Sequence, residues 1–243
     1  KEIDELATRY RGVELMELAL NRNLANTWAK LKKISPPSLR VLISTYLLRV
    51  DIWNVKTLVR AKYTKLSPEQ LSAMLLPSGF LNEKKLSELM KKDSVEEVLK
   101  SIGFIDQNYF SHAIEQFKET KSVAEIENAL DRFYYSAMEE FSRRLPDKGR
   151  LFREFLELEI ETAAIMNVLR LKRANTPSKD IGNFIVVPKK ISVLVKKMVI
   201  SQSAADAARL LESRRFRAFV DAGVKEFISK GSLFALALDL LGQ

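Results

Sequence analysis

SPPSLRVLISTYLLRVDIWNVKTLVRAK, residues 35–62, decides how the chain is read. Pro36 and Pro37 suit the first turn of a helix, where a missing N–H costs nothing, and no further Pro or Gly follows until Pro68. The stretch predicts one helix of about 25 residues, roughly 37 Å long at ~1.5 Å per residue. Turned at about 100° per residue, it places Leu39, Ile43, Tyr46, Val50 and Trp53 on one face, with Val41, Leu48, Ile52, Val55 and Val59 opposite. A helix apolar on two opposite faces is expected to be packed from both sides. Its polar residues then fall along two edges, Arg49, Lys56 and Arg60 on one and Arg40, Ser44, Asp51 and Lys62 on the other.

The same helix is written twice. Leu58-Val-Arg60-Ala-Lys62 reappears 110 positions on as Val168-Leu-Arg170-Leu-Lys172, and Asp51 matches Glu161 at the same offset. Leu151, Leu158, Ile165 and Leu169 take the face held by Val41, Leu48, Val55 and Val59. Ala19-Leu20-Asn21 likewise returns as Ala129-Leu130-Asp131, followed by Tyr134-Tyr135. A period this long is too large for a thin solenoid repeat, so each copy is expected to hold its own small helical core.

The rest of the chain fits an all-α fold. Gly and Pro together number 8 and 7 in 243 residues, about half the usual share, which favours long helices with short connections. Ser67-Pro-Glu-Gln70, Ser94-Val-Glu-Glu97 and Ser122-Val-Ala-Glu125 read as capping boxes, Thr176-Pro177 as a cap like Ser67-Pro68, and Ser203 as the counterpart of Ser94. Phe184-Ile-Val-Val187 is the one strand-like run. The expected organisation is a first unit over 1–121, a second over 122–230 and the start of a third over 231–243, where Ala237-Leu238-Asp239 begins another Ala-Leu-Asp helix. Both ends read as cut inside a repeat, as in a fragment of a three-copy protein.

Composition narrows the chemistry. With no Cys there is neither a disulfide framework nor a thiolate metal site, and a single His, His112, makes the common nucleophile–base pairs and metal sets hard to assemble. No phosphate-cradling or nucleophile-elbow motif is present. The best apolar run, residues 233–241, contains Asp239 and falls far short of the ~20 residues a membrane span needs. No signal peptide opens the chain, so an intracellular, soluble or peripheral protein is expected. The net charge of +9 invites nucleic acid, anionic lipid or an acidic partner, but the basic residues lie in scattered pairs interleaved with acids, as on solvated helix faces. Glu157 and Glu161 share a side of the second long helix, a pairing able to hold a cation, with Arg150, Arg153 and the neighbouring helix at hand to balance it instead.

Asp51-Ile-Trp-Asn54-Val-Lys56-Thr-Leu-Val-Arg60-Ala-Lys62, together with the repeated Ala-Leu-Asp helix and the repeat spacing, resembles the C subunit of the archaeal and vacuolar-type rotary ATPases, the family known as the d subunit in eukaryotes. The second copy departs from the pattern, with Ala164 where Asn54 stood and Asn167 where Thr57 stood. The resemblance implies three related helical units forming a funnel-like body on the cytoplasmic side of the membrane. One copy per complex would seat on the ring of proteolipid subunits and receive the central-axle subunits, of the D and F type, in its cavity. It implies a central-stalk rotor piece that couples proton- or sodium-driven rotation to the axle, peripheral to the membrane, with no catalytic site, no cofactor, no metal and no nucleic acid of its own. Under that reading Asp51, Asn54, Lys56, Arg60, Lys62, Glu161, Arg170 and Lys172 serve either as contacts with a partner or as ion pairs and caps between helices of one copy. The alternative is a basic helical-repeat module that binds nucleic acid or acts as a protein-interaction adaptor; nucleic-acid binding would demand one continuous cationic face.

Overall fold

The computed structural model describes residues 2–8, 10–212, 217–233, 236 and 240, and among these residues it is helical with no strand. Internal packing divides the chain into two compact units, Lys1–Tyr134 and Tyr135–Gln243. The first runs through α1 (Glu2–Leu6), α2 (Gly12–Ile34), α3 (Pro37–Tyr46), α4 (Leu48–Thr64), α5 (Pro68–Met74), α6 (Glu83–Met90), α7 (Val95–Ser101) and α8 (Ser111–Thr120) into α9 (Ala124–Arg144), inside which the division falls. The second contains α10 (Arg150–Arg173), α11 (Ser178–Phe184), α12 (Ser192–Ile200), α13 (Ala204–Arg209) and α14 (Arg217–Lys230). The Ala-Leu-Asp helix expected at 237–239 lies outside the described residues.

The stretch expected to be one rod is two helices. It tightens at Leu47, whose carbonyl accepts from Val50 three residues on at 2.9 Å as well as from Asp51 at 3.2 Å, a 3-10 geometry inserted between two α segments. Leu47 and Leu48 are thereby buried in succession. The two-sided packing expected of the rod belongs to its second half only. In α4 the buried residues Leu48, Asp51, Ile52, Asn54, Val55, Thr57, Leu58, Val59 and Ala61 spread over roughly 220° of the circumference. In α3 no residue is buried, and Leu39 and Val41 face outward. Trp53 is likewise exposed. The second copy, α10, is unbroken over its 24 residues.

Both long helices end alike. Lys65 and Asn175 take the left-handed conformation at φ 55° and 57°, and the next N–H reaches back five residues, Leu66 to Ala61 O and Thr176 to Leu171 O, both at 3.0 Å. This is the Schellman closure, which satisfies a carbonyl the helix leaves open. The core of the second unit gathers Ile165, Val168 and Leu169 of α10 with Ile181, Val195, Met198 and Ala208. In the first, Ile52, Val55 and Val59 of α4 are buried, as are Leu71, Leu89 and Val98 of the shorter helices.

Capping follows the sequence where a serine sits directly on the first turn. Ser67, Ser94 and Ser203 accept from Gln70, Glu97 and Asp206 N–H at 3.3, 3.2 and 3.1 Å. Two expectations shift by a residue or two. Helix α9 starts at Ala124, with Ser122 Oγ accepting from Ala124 N–H at 3.3 Å one step outside the cap position. Helix α11 starts at Ser178 with Pro177 at its N-cap and no side-chain cap.

Candidate functional site

The motif residues of α4 act first on the loop between α5 and α6. Asp51 is fully buried, and its two carboxylate oxygens accept from Phe80 N–H at 2.6 Å and Leu81 N–H at 2.8 Å. One turn on, Asn54 reads a single residue in both directions: its Nδ2 donates to Leu76 O and its Oδ1 accepts from Leu76 N–H, each at 2.8 Å. From α2, Lys32 Nζ donates to Ser78 O at 2.5 Å. Three side chains thus hold residues 76–81. Gly79 is the one residue type that fits there, since a Cβ would stand 2.0 Å from Asp51 Oδ2.

Burial without a directly opposed cation penalises the charged form of Asp51 and pushes its pKa from 3.8 up to about 6, against the lowering pull of the Leu81 and Phe80 N–H groups and of Lys32. At neutral pH the group is mostly ionised and makes two charge-assisted bonds to backbone.

The remaining motif residues of the first copy fasten α4 to other elements. Lys62 Nζ donates to Met90 O at 2.6 Å, neutralising the carbonyl end of α6 as a cation at a helix C-terminus does. Arg60 grips Glu127 of α9 with two parallel bonds, Nε to Oε1 at 2.5 Å and a terminal nitrogen to Oε2 at 2.7 Å. That fork geometry, the hydrogen bond to Glu127 foremost, raises the Arg60 pKa. Lys56 Nζ meets Asp131 Oδ2, one turn further along α9, at 2.5 Å.

The second copy repeats part of this. Lys172 Nζ donates to Ser201 O beyond α12 and, at 3.3 Å, to Ser178 Oγ. Glu161 is buried like Asp51 but lies 3.9 Å from Lys190 Nζ, which also meets Glu157 Oε2 at 3.3 Å. A cavity of about 160 Å³ opens there, lined by Glu139, Ser142, Arg143, Glu157, Glu161 and Lys190. The acidic pair meets Lys190, from the neighbouring short helix as one of the expected arrangements had it, while Arg150 instead reaches Glu154 at 3.7 Å. Ala164 leaves no counterpart of the Asn54 bracket, and Arg170 is exposed.

The eight motif residues do not converge on a shared pocket. They radiate from two helices toward loops, helix ends and α9. The contributors that sequence reasoning missed are their partners: Lys32, Gly79, Glu127 and Lys190. Glu127 and Asp131 were open to detection, because two acids four apart on one helix match two cations four apart on another. Gly79 reads in the sequence only as a helix stop, and its close approach to Asp51 has no local signature. Among the described residues no three acidic or histidine side chains gather as metal ligands, and no helix is long and apolar enough to cross a membrane.

A family model described as ATP synthase (C/AC39) subunit matches residues 1–239. The chain is 38% identical over 180 residues to the C subunit of the A-type ATP synthase of Methanosarcina acetivorans, covering 74% of this chain and 49% of that one. It is 34% identical over 187 residues to the protein of that name from Methanococcoides burtonii, covering 76% and 51%. To the one from Haloferax volcanii it is 32% identical over 185 residues, covering 76% and 53%. The chain spans about half the length of these curated relatives.

Proposed function

We propose a coupling role for this chain, which belongs to the ATP synthase (C/AC39) subunit family. In this reading it is a non-catalytic central-stalk piece of an A/V-type ATPase or ATP synthase, one copy per complex. It stands between the membrane's proteolipid ring and the central-axle subunits on the cytoplasmic face, and it carries torque while proton or sodium flow turns the ring. The observation that carries the reading is the use made of α4. Asp51, Asn54, Lys56, Arg60 and Lys62 each fasten it to backbone or to an acid of another element. A rod tied at five points along 17 residues resists bending, and close-packed helical interiors transmit strain rather than absorb it. The same five side chains are taken up in contacts within the chain.

The test is recovery of a tagged chain from native membranes of its source. The proteolipid ring and the axle subunits are expected in the eluate at stoichiometric yield. Recovery of RNA without either, with binding that falls steeply as salt rises, would replace the coupling role with nucleic-acid binding.

A further inference from the structure

The fold gathers lysines that the sequence scatters. An open depression of about 570 Å³ lies between α6 and the end of α7, lined by Lys85, Glu88, Lys91, Lys92, Lys100 and Ser101. Four lysines against one glutamate leave a surplus of positive charge around a single concavity. The pairs Lys84-Lys85 and Lys91-Lys92, which read in the sequence as solvated helix faces, each send a member into it.

The acids nearby are engaged. Glu88 meets Lys85 at 3.5 Å, Glu96 of α7 meets Lys118 at 3.4 Å, and Glu97 accepts from Asp93 N–H at 3.1 Å. Among the described residues, Lys91, Lys92 and Lys100 form no ion pair. The carbonyl end of α6 would oppose an anion here, but Lys62 Nζ donates to Met90 O at 2.6 Å and offsets it. A cleft lined by one sign of charge focuses its field and concentrates small counter-ions.

We propose that this depression binds a condensed phosphate in solution, two or three linked phosphates with neither a base nor a lipid tail. Pyrophosphate and tripolyphosphate bring several negative charges in a compact body, and lysine meets phosphate as a point charge. A concavity of this size suits a small ligand. No aromatic side chain lines it to stack a base. Its one apolar lining residue, Leu89, is 0% exposed, which leaves an acyl chain nothing to enter. The bound anion bridges Lys91 and Lys92 at the end of α6 to Lys100 of α7, a further tie beside that of Lys62. The inference is independent of the coupling role.

The experiment titrates tripolyphosphate into the purified full chain by calorimetry at low salt, with orthophosphate, polyglutamate and phosphatidylglycerol vesicles titrated alongside. One site per chain is expected, bound roughly tenfold or more tightly than orthophosphate and weakened as salt rises, with a higher melting temperature when it is filled. The triple variant Lys91→Gln, Lys92→Gln and Lys100→Gln is expected to lose roughly tenfold or more in affinity, and the melting shift with it. A second triple variant, Lys179→Gln, Lys196→Gln and Lys197→Gln, removes the same charge from exposed positions of the second unit and is expected to bind as the unaltered chain does. None of the six lysines is buried, so both variants are expected to keep their helical content by circular dichroism. Equal weakening in the two variants, several equivalent sites, tripolyphosphate held no better than orthophosphate, or no binding at all overturns the proposal. Tighter binding of the vesicles or of polyglutamate than of tripolyphosphate also overturns it, and assigns the lysines to a lipid headgroup or to an acidic protein.

Discussion

The loop contacts of α4 and α10 solve one problem in two ways. Each helix buries a carboxylate at the same position, 51 and 161. Asp51 is short and spends its oxygens on two backbone N–H groups, which requires the loop to come so close that only Gly79 fits. Glu161 is longer by a methylene, and a lysine, Lys190, stands where Phe80 stands 110 positions earlier. With Lys189 at the position of Gly79, no close approach is built in. The first carboxylate accepts from two backbone N–H groups, and the second has a lysine ammonium 3.9 Å away. The difference teaches that a repeated carboxylate position fixes burial but not the groups that surround it.

The largest expected effect breaks the first arrangement and spares the second. In Gly79→Val the new side chain occupies the space of the Asp51 carboxylate, so both charge-assisted bonds are lost with the charge still buried. The expected cost is about 3–5 kcal/mol, read from urea denaturation of the purified chain. Lys189→Val, the matching change in the second copy, is expected to stay within about 0.5 kcal/mol. Equal losses at the two positions would erase the contrast.

The next effect is a pH dependence. Asp51 binds its proton more tightly in the folded chain, at a pKa of about 6 against the ordinary 3.8. Its contribution to stability is therefore full below about pH 4 and is lost as pH rises through 6, an amount on the order of 3 kcal/mol. Asp51→Asn removes that titration while other carboxylates cancel in the difference. Wild type minus Asp51→Asn stability should thus be more favourable to wild type at pH 4 than at pH 7, and a flat difference would place the carboxylate in a more solvated setting than the structure does.

How much of this was legible follows from the range of each interaction. The capping serines at 67, 94 and 203, and the matching ends of α4 and α10, depend on residues within one turn of each other, and a local pattern records them. The 3-10 turn at Leu47 has no local signature: no Pro or Gly marks it, and it coincides with the burial of Leu47 and Leu48 in succession. The exposed face of α3 departs from expectation for a related reason, since an apolar residue says that it can be covered, not that this chain covers it. Asp51 and Lys62 stand out as polar residues on a mostly apolar helix, yet their partners are backbone atoms at Phe80, Leu81 and Met90. Backbone carries no residue identity, and sequence spacing cannot point to it.

The smallest effect sharpens the comparison at the surface. Arg60–Glu127 is bidentate, with side chains 60% and 18% exposed, whereas in Lys190–Glu157 they are 58% and 36% exposed at 3.3 Å, so the contrast lies in the acid and in the fork. Solvent screens the second pair more, and an ammonium lacks the planar fork that fixes the first. A double-mutant cycle with Arg60→Ala and Glu127→Ala should give a coupling of about 1 kcal/mol, and one with Lys190→Ala and Glu157→Ala about 0.3 kcal/mol or less. Raising the salt to ~1 M should shrink the second value toward zero before the first, because exposed pairs lose most to screening. A first coupling no larger than the second would mean that the planar fork at Arg60 adds no strength of its own to the tie between α4 and α9.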